Sequence, residues 1–389
     1  MDKNKIKKAL LLDTNVSSYP IYQFLLKNGY DTYVIGSNPN DCLAKLSKNY
    51  INYSYSNPTL FQDIIEKHSF DVIVPGCNDV SYISATLANK SNDFFGLDTL
   101  ETTLTINNKL KFRKFALSNN LSVPSILNYK TSISFKKPII IKPVDAYSGR
   151  GVTVLKNPTK KLIRDAMNLA KEYSSSKNYI IEEYVDGQLY SHTAFISNKK
   201  IIQDFIVIED GTSNKFTVDS SHVIFDFPKQ ILNEIRNEIE IISSKLNLVD
   251  GLFHTQFIKQ NNKFKIIEVT RRCPGDLYSM LIQKSTGFDY TKYYVEPFLG
   301  KKLKKNKSNI KKTYIIRHTA SLNLNSNVVG MKYLENLIID TFIPMCKTGD
   351  EIKQSPFGRI ALLFLKCKNN SELKKTYKHV LNRNLYSLL

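Results

Sequence analysis

Three short stretches of this sequence set charged side chains into runs that otherwise read as apolar strands. In Ile139-Ile140-Ile141-Lys142-Pro143, Lys142 is the only charge, so its side chain should face a site or a sheet edge. The loop that follows, Asp145-Ala146-Tyr147-Ser148-Gly149-Arg150-Gly151, combines two kinds of phosphate ligand. Ser148, Gly149 and Gly151 let backbone N–H groups approach oxyanions closely, and Arg150 adds a guanidinium fork. The second stretch is Ile180-Ile181-Glu182-Glu183-Tyr184-Val185-Asp186-Gly187. One of its two carboxylates could accept from an adenine amino group while the backbone near Val185 meets the ring edge. The third is Ile266-Ile267-Glu268-Val269-Thr270-Arg271-Arg272-Cys273-Pro274-Gly275. Strand alternation puts Glu268 and Thr270 on one face. Gln256 precedes Glu268 by twelve residues. If an odd number of residues turns between the two strands, such as Gln260-Asn261-Asn262, Gln256 shares that face, and His254 could join it. Oxygen donors there suit magnesium bridging nucleotide phosphates, and Arg271 and Arg272 could hold a transferring phosphate and a carboxylate. Each stretch alone also has a plain structural reading: a hairpin turn, an edge strand with solvated acids, and an ion pair.

The elements that must position these residues differ along the chain. Up to about residue 105, strands at Lys8–Leu12, Thr32–Ile35 and Asp71–Val74 alternate with helical runs at Ile21–Asn28 and Phe61–His68, which predicts a parallel α/β layer. The turn after the first strand reads Asp13-Thr14-Asn15-Val16-Ser17, so the glycine fingerprint of a dinucleotide site is absent. Ile106–Asn119 reads as one basic helix. Leu162, Ala166, Leu169, Ala170 and Tyr173 predict one helical face, and Ile231, Ile235, Ile239, Ile242 and Leu246 another. Leu252–Lys259 and Lys263–Thr270 predict a hairpin, and Arg359–Leu365 and Ser371–Leu381 a late strand and helix.

Composition sets the outer bounds. The 389 residues suit about two to three domains. No apolar run approaches the roughly 18 residues of a membrane span, and the first apolar stretch ends at Asp13, too short for a signal peptide. Cys42, Cys77, Cys273, Cys346 and Cys367 form no CxxC pair, which speaks against a disulfide framework or a zinc site. A soluble protein of the reducing cytoplasm is expected, with Cys273 in a packing role. The net charge of +20 is spread along the chain. Its one dense cluster, Lys301–Lys307, has no interleaved aromatics and reads as a solvated linker. Such a balance could serve nucleic acid, but its even spread without a dense aromatic-laced patch or finger motif argues against a dedicated reader, and it would still steer anionic substrates inward.

Taken in order and spacing, the stretches from about Ile106 to Gly300 resemble the ATP-grasp superfamily of carboxylate–amine ligases. The resemblance implies a Rossmann-like domain over 1–105, a two-subdomain ATP-grasp module over 106–305 with its flap-bearing part at 125–187, and a small α+β segment over 306–389. It matches Lys109 and Lys142 to the two ATP lysines, Asp145–Gly151 to the flap over the phosphates, and Glu182, Glu183 and Val185 to the adenine hinge. It matches Glu268 to the main magnesium carboxylate and Arg272 to the arginine that stabilises an acyl-phosphate, with Arg271 beside it. The implied ligands are ATP and Mg²⁺, or Mn²⁺ in its place. The implied partners are a small-molecule carboxylate and an amine, most simply an amino acid or peptide-like pair, with a homodimer common in such families. Three positions depart from the pattern: Gln256 stands where a metal carboxylate is usual, Thr270 where an asparagine is, and Leu189 where a ribose-binding glutamate is frequent. Gln256 and Thr270 still offer oxygen to a metal, with less charge. Two rival readings stay open, a non-catalytic ATP-binding homologue and a basic nucleic-acid-binding protein, as does the place of Arg317 and His318 in or beside the cleft.

Overall fold

The computed structural model of the chain describes residues 6–89, 93–147, 149–333 and 337–389, with the backbone alone at 58–60. β1 (Lys8–Leu12), β2 (Asp31–Gly36), β3 (Tyr50–Asn52) and β4 (Val72–Pro75) form a parallel sheet in the order β3-β2-β1-β4. Helices α1 (Tyr19–Lys27), α2 (Cys42–Leu46) and α3 (Pro58–His68) lie between the strands, and α4 (Asp79–Ala88) follows β4. Leu10, Leu11, Ile73 and Val74 are fully buried, as strands covered on both faces require. The chain steps from β1 outward to β3, then returns to the other edge of β1. The loops after β1 and β4 therefore diverge and leave a crevice at the carboxyl ends of the strands.

Two helices, α5 (Leu100–Asn107) and α6 (Lys109–Ser118), replace the single basic helix expected from Ile106 to Asn119. The break is Asn108, which is extended and accepts hydrogen bonds from the N–H groups of Leu110 and Lys111. That cap starts α6 at Lys109. The flap-bearing unit follows: β5 (Ile126–Leu127), α7 (Tyr129–Ser134), β6 (Ile139–Pro143), β7 (Thr153–Leu155), α8 (Lys160–Tyr173) and β8 (Tyr179–Glu183), an antiparallel sheet in the order β5-β8-β6-β7. The buried stripe of α8 is Ile163, Ala166 and Ala170 against Ile139, Ile141 and Ile181, so it keeps Ala166 and Ala170 of the expected face and adds Ile163. Leu162, Leu169 and Tyr173 stay largely exposed, because two alanines let the helix sit close on the sheet only on their side.

The main sheet is antiparallel: β9 (Gln188–Ser197), β10 (Lys200–Asp210), β11 (Ser220–Ile224), β12 (Gly251–Gln260), β13 (Lys263–Thr270) and β14 (Tyr314–Ala320) in the order β13-β12-β9-β10-β11-β14. It continues through Ala361–Cys367 and Ile338–Pro344. The late strands thus extend the same sheet across the expected boundary near residue 305. Helix α9 (Lys229–Lys245) covers part of one face with Ile231, Ile235, Ile239 and Ile242 buried, each worth about 1.5–3 kcal/mol of transfer free energy.

One irregularity sets the site. The β12–β13 turn has two residues, Asn261 and Asn262, with Gln260 opposite Lys263. Unbroken pairing from that turn would place Gln256 opposite Ile267. Instead the register shifts between Gln256 and Phe257, so Gln256 faces Glu268 and Ile267 becomes the extra residue of a bulge. Arg113, fully buried on α6, pins the bulge: Nη1 donates to the Ile266 carbonyl at 2.8 Å and Nη2 to that of Ile267 at 3.0 Å. Its Nε donates to Glu182 on β8. Removing one member of such a buried pair costs about 3–5 kcal/mol. Arg113→Met should therefore lower the urea midpoint by a stability loss of about that size; an unchanged midpoint would deny Arg113 this role.

Candidate active site

A cleft opens between the flap-bearing unit and the polar face of the main sheet. Its lining includes Lys109, Lys142, Tyr147, Gly149, Arg150, Glu182, Glu183, Val185, Gln256 and Glu268, with Ile140, Val152, Leu189, Ile258 and Ile267 as apolar walls. Nine residues expected in the site thus converge, and Ser148 lies outside the described residues. Lys109 Nζ sits 3.1 Å from Glu268 Oε1 and donates to the Ala146 carbonyl at 2.8 Å. It also lies over the Tyr147 ring, 5.4 Å from the centroid. Lys142 Nζ is buried 2.6 Å from Glu182 Oε2. Burial lowers the pKa of its ammonium, against the pull of Glu182 and with the further repulsion of Arg113 and Lys109. Burial alone would raise Glu182, but Lys142 and Arg113 hold it below the usual carboxylate range.

That arrangement corrects the expected part for the two hinge carboxylates. Glu182 is committed to Arg113 and Lys142, and Glu183 Oε1 accepts from the Ser125 N–H at 3.0 Å and its hydroxyl at 3.2 Å. The backbone through Val185 offers a polar edge beside them in the cleft. In the flap loop, Gly149 has φ +69° and Gly151 φ +70°. A Cβ on Gly149 would come within 2.7 Å of Phe216 Cβ, and one on Gly151 within 2.9 Å of Tyr173 Cβ. Gly151 is a close-packing position behind the cleft wall rather than part of its lining. The exposed Tyr173 belongs to this contact.

The end of β13 also departs from expectation. Arg271 is placed away from the cleft: Nε donates to Asp98 Oδ2 at 2.7 Å, and Nη1 and Nη2 donate to the carbonyls of Leu252 and Val249. It is a buried tie to the segment before α5, not a ligand for a substrate. Thr270 is buried too, its hydroxyl donating to Asp79 Oδ1 at 3.1 Å. Arg272 makes a two-point pair with the same carboxylate, Nε to Oδ1 at 3.0 Å and Nη2 to Oδ2 at 2.9 Å. Asp79 starts α4, beside the crevice of the N-terminal sheet. Cys273 is buried next to Cys77, whose thiol burial pushes up, a packing position as expected. Arg317 and His318 are interior. Arg317 Nε donates to Ser221 Oγ at 2.8 Å, and His318 Nδ1 lies 2.8 Å from Ser220 Oγ. Burial brings His318 down to about 4.

Two acidic residues escaped the sequence reading. Asp79 opens a helix that the sequence analysis did not assign, although its N-cap, Asn78, is a usable signal. Glu209, near the end of β10, is a carboxylate in an apolar strand of the kind that drew attention at Glu182. It is buried, and its Oε2 accepts from Gln256 Nε2 at 2.6 Å. Burial pushes its carboxyl up, against hydrogen bonds from Ser191 and Gln256 and the charges of Arg317 and Arg272. Among the described residues, no group of three or more His, Cys, Asp or Glu side chains forms a metal cluster, so the oxygen donors at the cleft are Glu268 and the Gln256 amide.

Comparison with known proteins agrees with this architecture. Residues 135–279 match the family described as the ATP-grasp domain. The D-alanine–D-alanine ligase of Buchnera aphidicola subsp. Schizaphis graminum (strain Sg) is 26% identical over 318 residues, which cover 74% of this chain and 96% of that protein. The L-amino acid ligase of Bacillus licheniformis shares the fold with a TM-score of 0.79 at 14% identity, over 99% of each chain. The biotin carboxylase domain of the Hydrogenobacter thermophilus 2-oxoglutarate carboxylase, solved with MgADP, ADP and bicarbonate, does so with a TM-score of 0.74 at 13% identity, over 99% of this chain and 91% of that one. Among the described residues, no helix is long and apolar enough to cross a membrane.

The flap geometry makes its own prediction. Gly149→Val adds a branched side chain at a positive φ and against Phe216. ADP affinity measured by calorimetry should fall about tenfold or more, the equivalent of about 1.4 kcal/mol, with the unfolding midpoint little changed. Unaltered ADP binding would show that the loop does not close over the nucleotide.

Proposed function

We propose, from the premise that this chain carries an ATP-grasp domain, that it is an ATP-dependent ligase joining a carboxylate to an amine. The observation that carries the reading is the convergence of Lys109, Lys142 and Glu268 beside an apolar slot. A base fits between Ile140, Val152, Leu189, Ile258 and Ile267, with the backbone at Val185 as its polar edge. Lys109, Lys142, Arg150 and the loop around Gly149 then face the phosphates. The donor chemistry fits a hard cation: Glu268 reaches the cleft with about a third of its side chain exposed, and Gln256 stands directly opposite. Mg²⁺, or Mn²⁺ in its place, held by these two would draw charge from the transferring phosphate.

A substrate carboxylate oxygen attacks the γ-phosphorus of ATP, and the bond to the ADP oxygen breaks. The amine nitrogen attacks the resulting acyl carbon, phosphate departs with the bonding electrons, and the nitrogen loses a proton. The chain's own part is placement and charge stabilisation. The lysines neutralise the γ-phosphate, and the flap keeps water from the acyl-phosphate. Arg272, held by Asp79 at the mouth of the N-terminal crevice, is where the acyl-phosphate would meet the acceptor. The curated relative is named for joining alanines, which supports an amino-acid or peptide-like substrate. A cytoplasmic setting agrees with the five free thiols.

Glu268→Ala should lower phosphate release at least about 100-fold while the far-ultraviolet circular dichroism stays that of the wild type. Turnover near the wild-type rate would refute the assignment of Glu268. Tight ATP binding by the wild-type chain, with no ADP formed across a broad panel of carboxylates and amines, would favour the non-catalytic reading.

A further inference from the structure

Position 256 carries an amide where the metal reading calls for charge. The structure shows what faces that amide from the other side. Gln256 on β12 and Glu209 on β10 are separated by β9, two strand spacings or about 9–10 Å sideways, and Glu209 stands two residues along β10 from Val207, the position in line with Gln256. Their side chains meet above Ser191, which pairs with Gln256 across β9 and is small enough to let them close to 2.6 Å. Ser191 itself lies 3.0 Å from Tyr278 Oη, so the floor under the contact is buried and polar.

A carboxylate only accepts hydrogen bonds, whereas a glutamine amide has a donor end and an acceptor end. With Nε2 turned to Glu209, Oε1 is the amide atom left for the cleft, which Gln256 lines together with Glu268. The opposite rotamer would set two oxygens against each other in a buried place. A contact as short as 2.6 Å to a buried carboxylate fixes orientation firmly. Resting on the ligase reading above, we propose that Glu209 is a positioning residue of the metal site. It holds the Gln256 amide by its nitrogen and so leaves the amide oxygen for the cleft that Glu268 lines. The acidic partner of Glu268 has moved from β12 to β10, with glutamine as the link between them.

The test exchanges the two groups. Mn²⁺ binding to the full-length chain in the presence of ADP is followed by electron paramagnetic resonance, and ADP binding without metal by calorimetry. Glu209→Gln should weaken Mn²⁺ about 10–100-fold, the usual effect of losing the partner of a metal ligand, and leave metal-free ADP affinity unchanged. Gln256→Glu should bind Mn²⁺ no better than wild type, because it brings two carboxylates together. The double variant Glu209→Gln/Gln256→Glu, which restores one acid and one amide, should return to near wild-type affinity. Mn²⁺ binding unaffected by Glu209→Gln, or a double variant no better than the worse single one, would overturn the proposal. Glu268→Gln separates the two levels. If it leaves Mn²⁺ bound, the metal is not at Glu268 and the underlying reading fails, whatever Glu209 does. If it abolishes Mn²⁺ binding while Glu209→Gln has no effect, only the proposal for Glu209 fails.

Discussion

A buried guanidinium holds the cleft together. Arg113 spends its planar fork on three partners from two other elements: Glu182 on β8 and the carbonyls of Ile266 and Ile267 on β13. Glu182 in turn pairs with Lys142. An ammonium buried on a strand needs a carboxylate, and a carboxylate with no solvent needs more than one cation or donor. Each member of the chain Arg113–Glu182–Lys142 makes the next tolerable. Lysine at 113 could not replace the fork, because a single ammonium cannot meet three acceptors with the same geometry. The result is a lysine facing the cleft from a buried, paired position, and a bulge that sets Glu268 opposite Gln256.

The far end of the cleft is built by stapling. Arg271 and Arg272 are consecutive, so their side chains leave the strand end in opposite directions. One reaches Asp98 and the other Asp79. The two pairs lock the end of β13 to the N-terminal α/β layer on both sides. They bring the crevice at the strand ends, where such sheets bind ligands, against the end of β13. A nucleotide gripped by the flap unit and a small molecule seated in the crevice would then share Arg272 as their meeting point.

Much of this could be read from the residues. Lys142 and Glu268 stood out because each interrupts an apolar strand, where a polar side chain must face something, and Gln256 because it lies twelve residues before Glu268 in the partner strand. The hairpin, the isoleucine stripe of α9 and the alternation of the first hundred residues followed from periodicity. What stayed hidden depended on tertiary partners. Arg113 sits among Lys109, Lys111 and Lys114 on a helix that reads as a basic, solvated face, and nothing local marks it as buried. Glu182 and Arg271 were rightly picked out as unusual, yet their partners lie 69 and 173 residues away, so packing rather than ligand binding claims them. The bulge compensates for a two-residue turn where three had been expected. It gives the same pairing of Gln256 with Glu268 by a route the sequence pattern does not display.

The central claim is that a carboxylate is activated by phosphorylation and then captured by an amine. The most direct measurement uses a carboxylate–amine pair that drives ADP release, with both carboxylate oxygens labelled with ¹⁸O, and follows the label by mass spectrometry of the released phosphate. The account predicts one ¹⁸O in each phosphate and one retained in the amide product. Phosphate free of label would mean that water, not a carboxylate, takes the γ-phosphoryl group, and would contradict ligation through an acyl-phosphate.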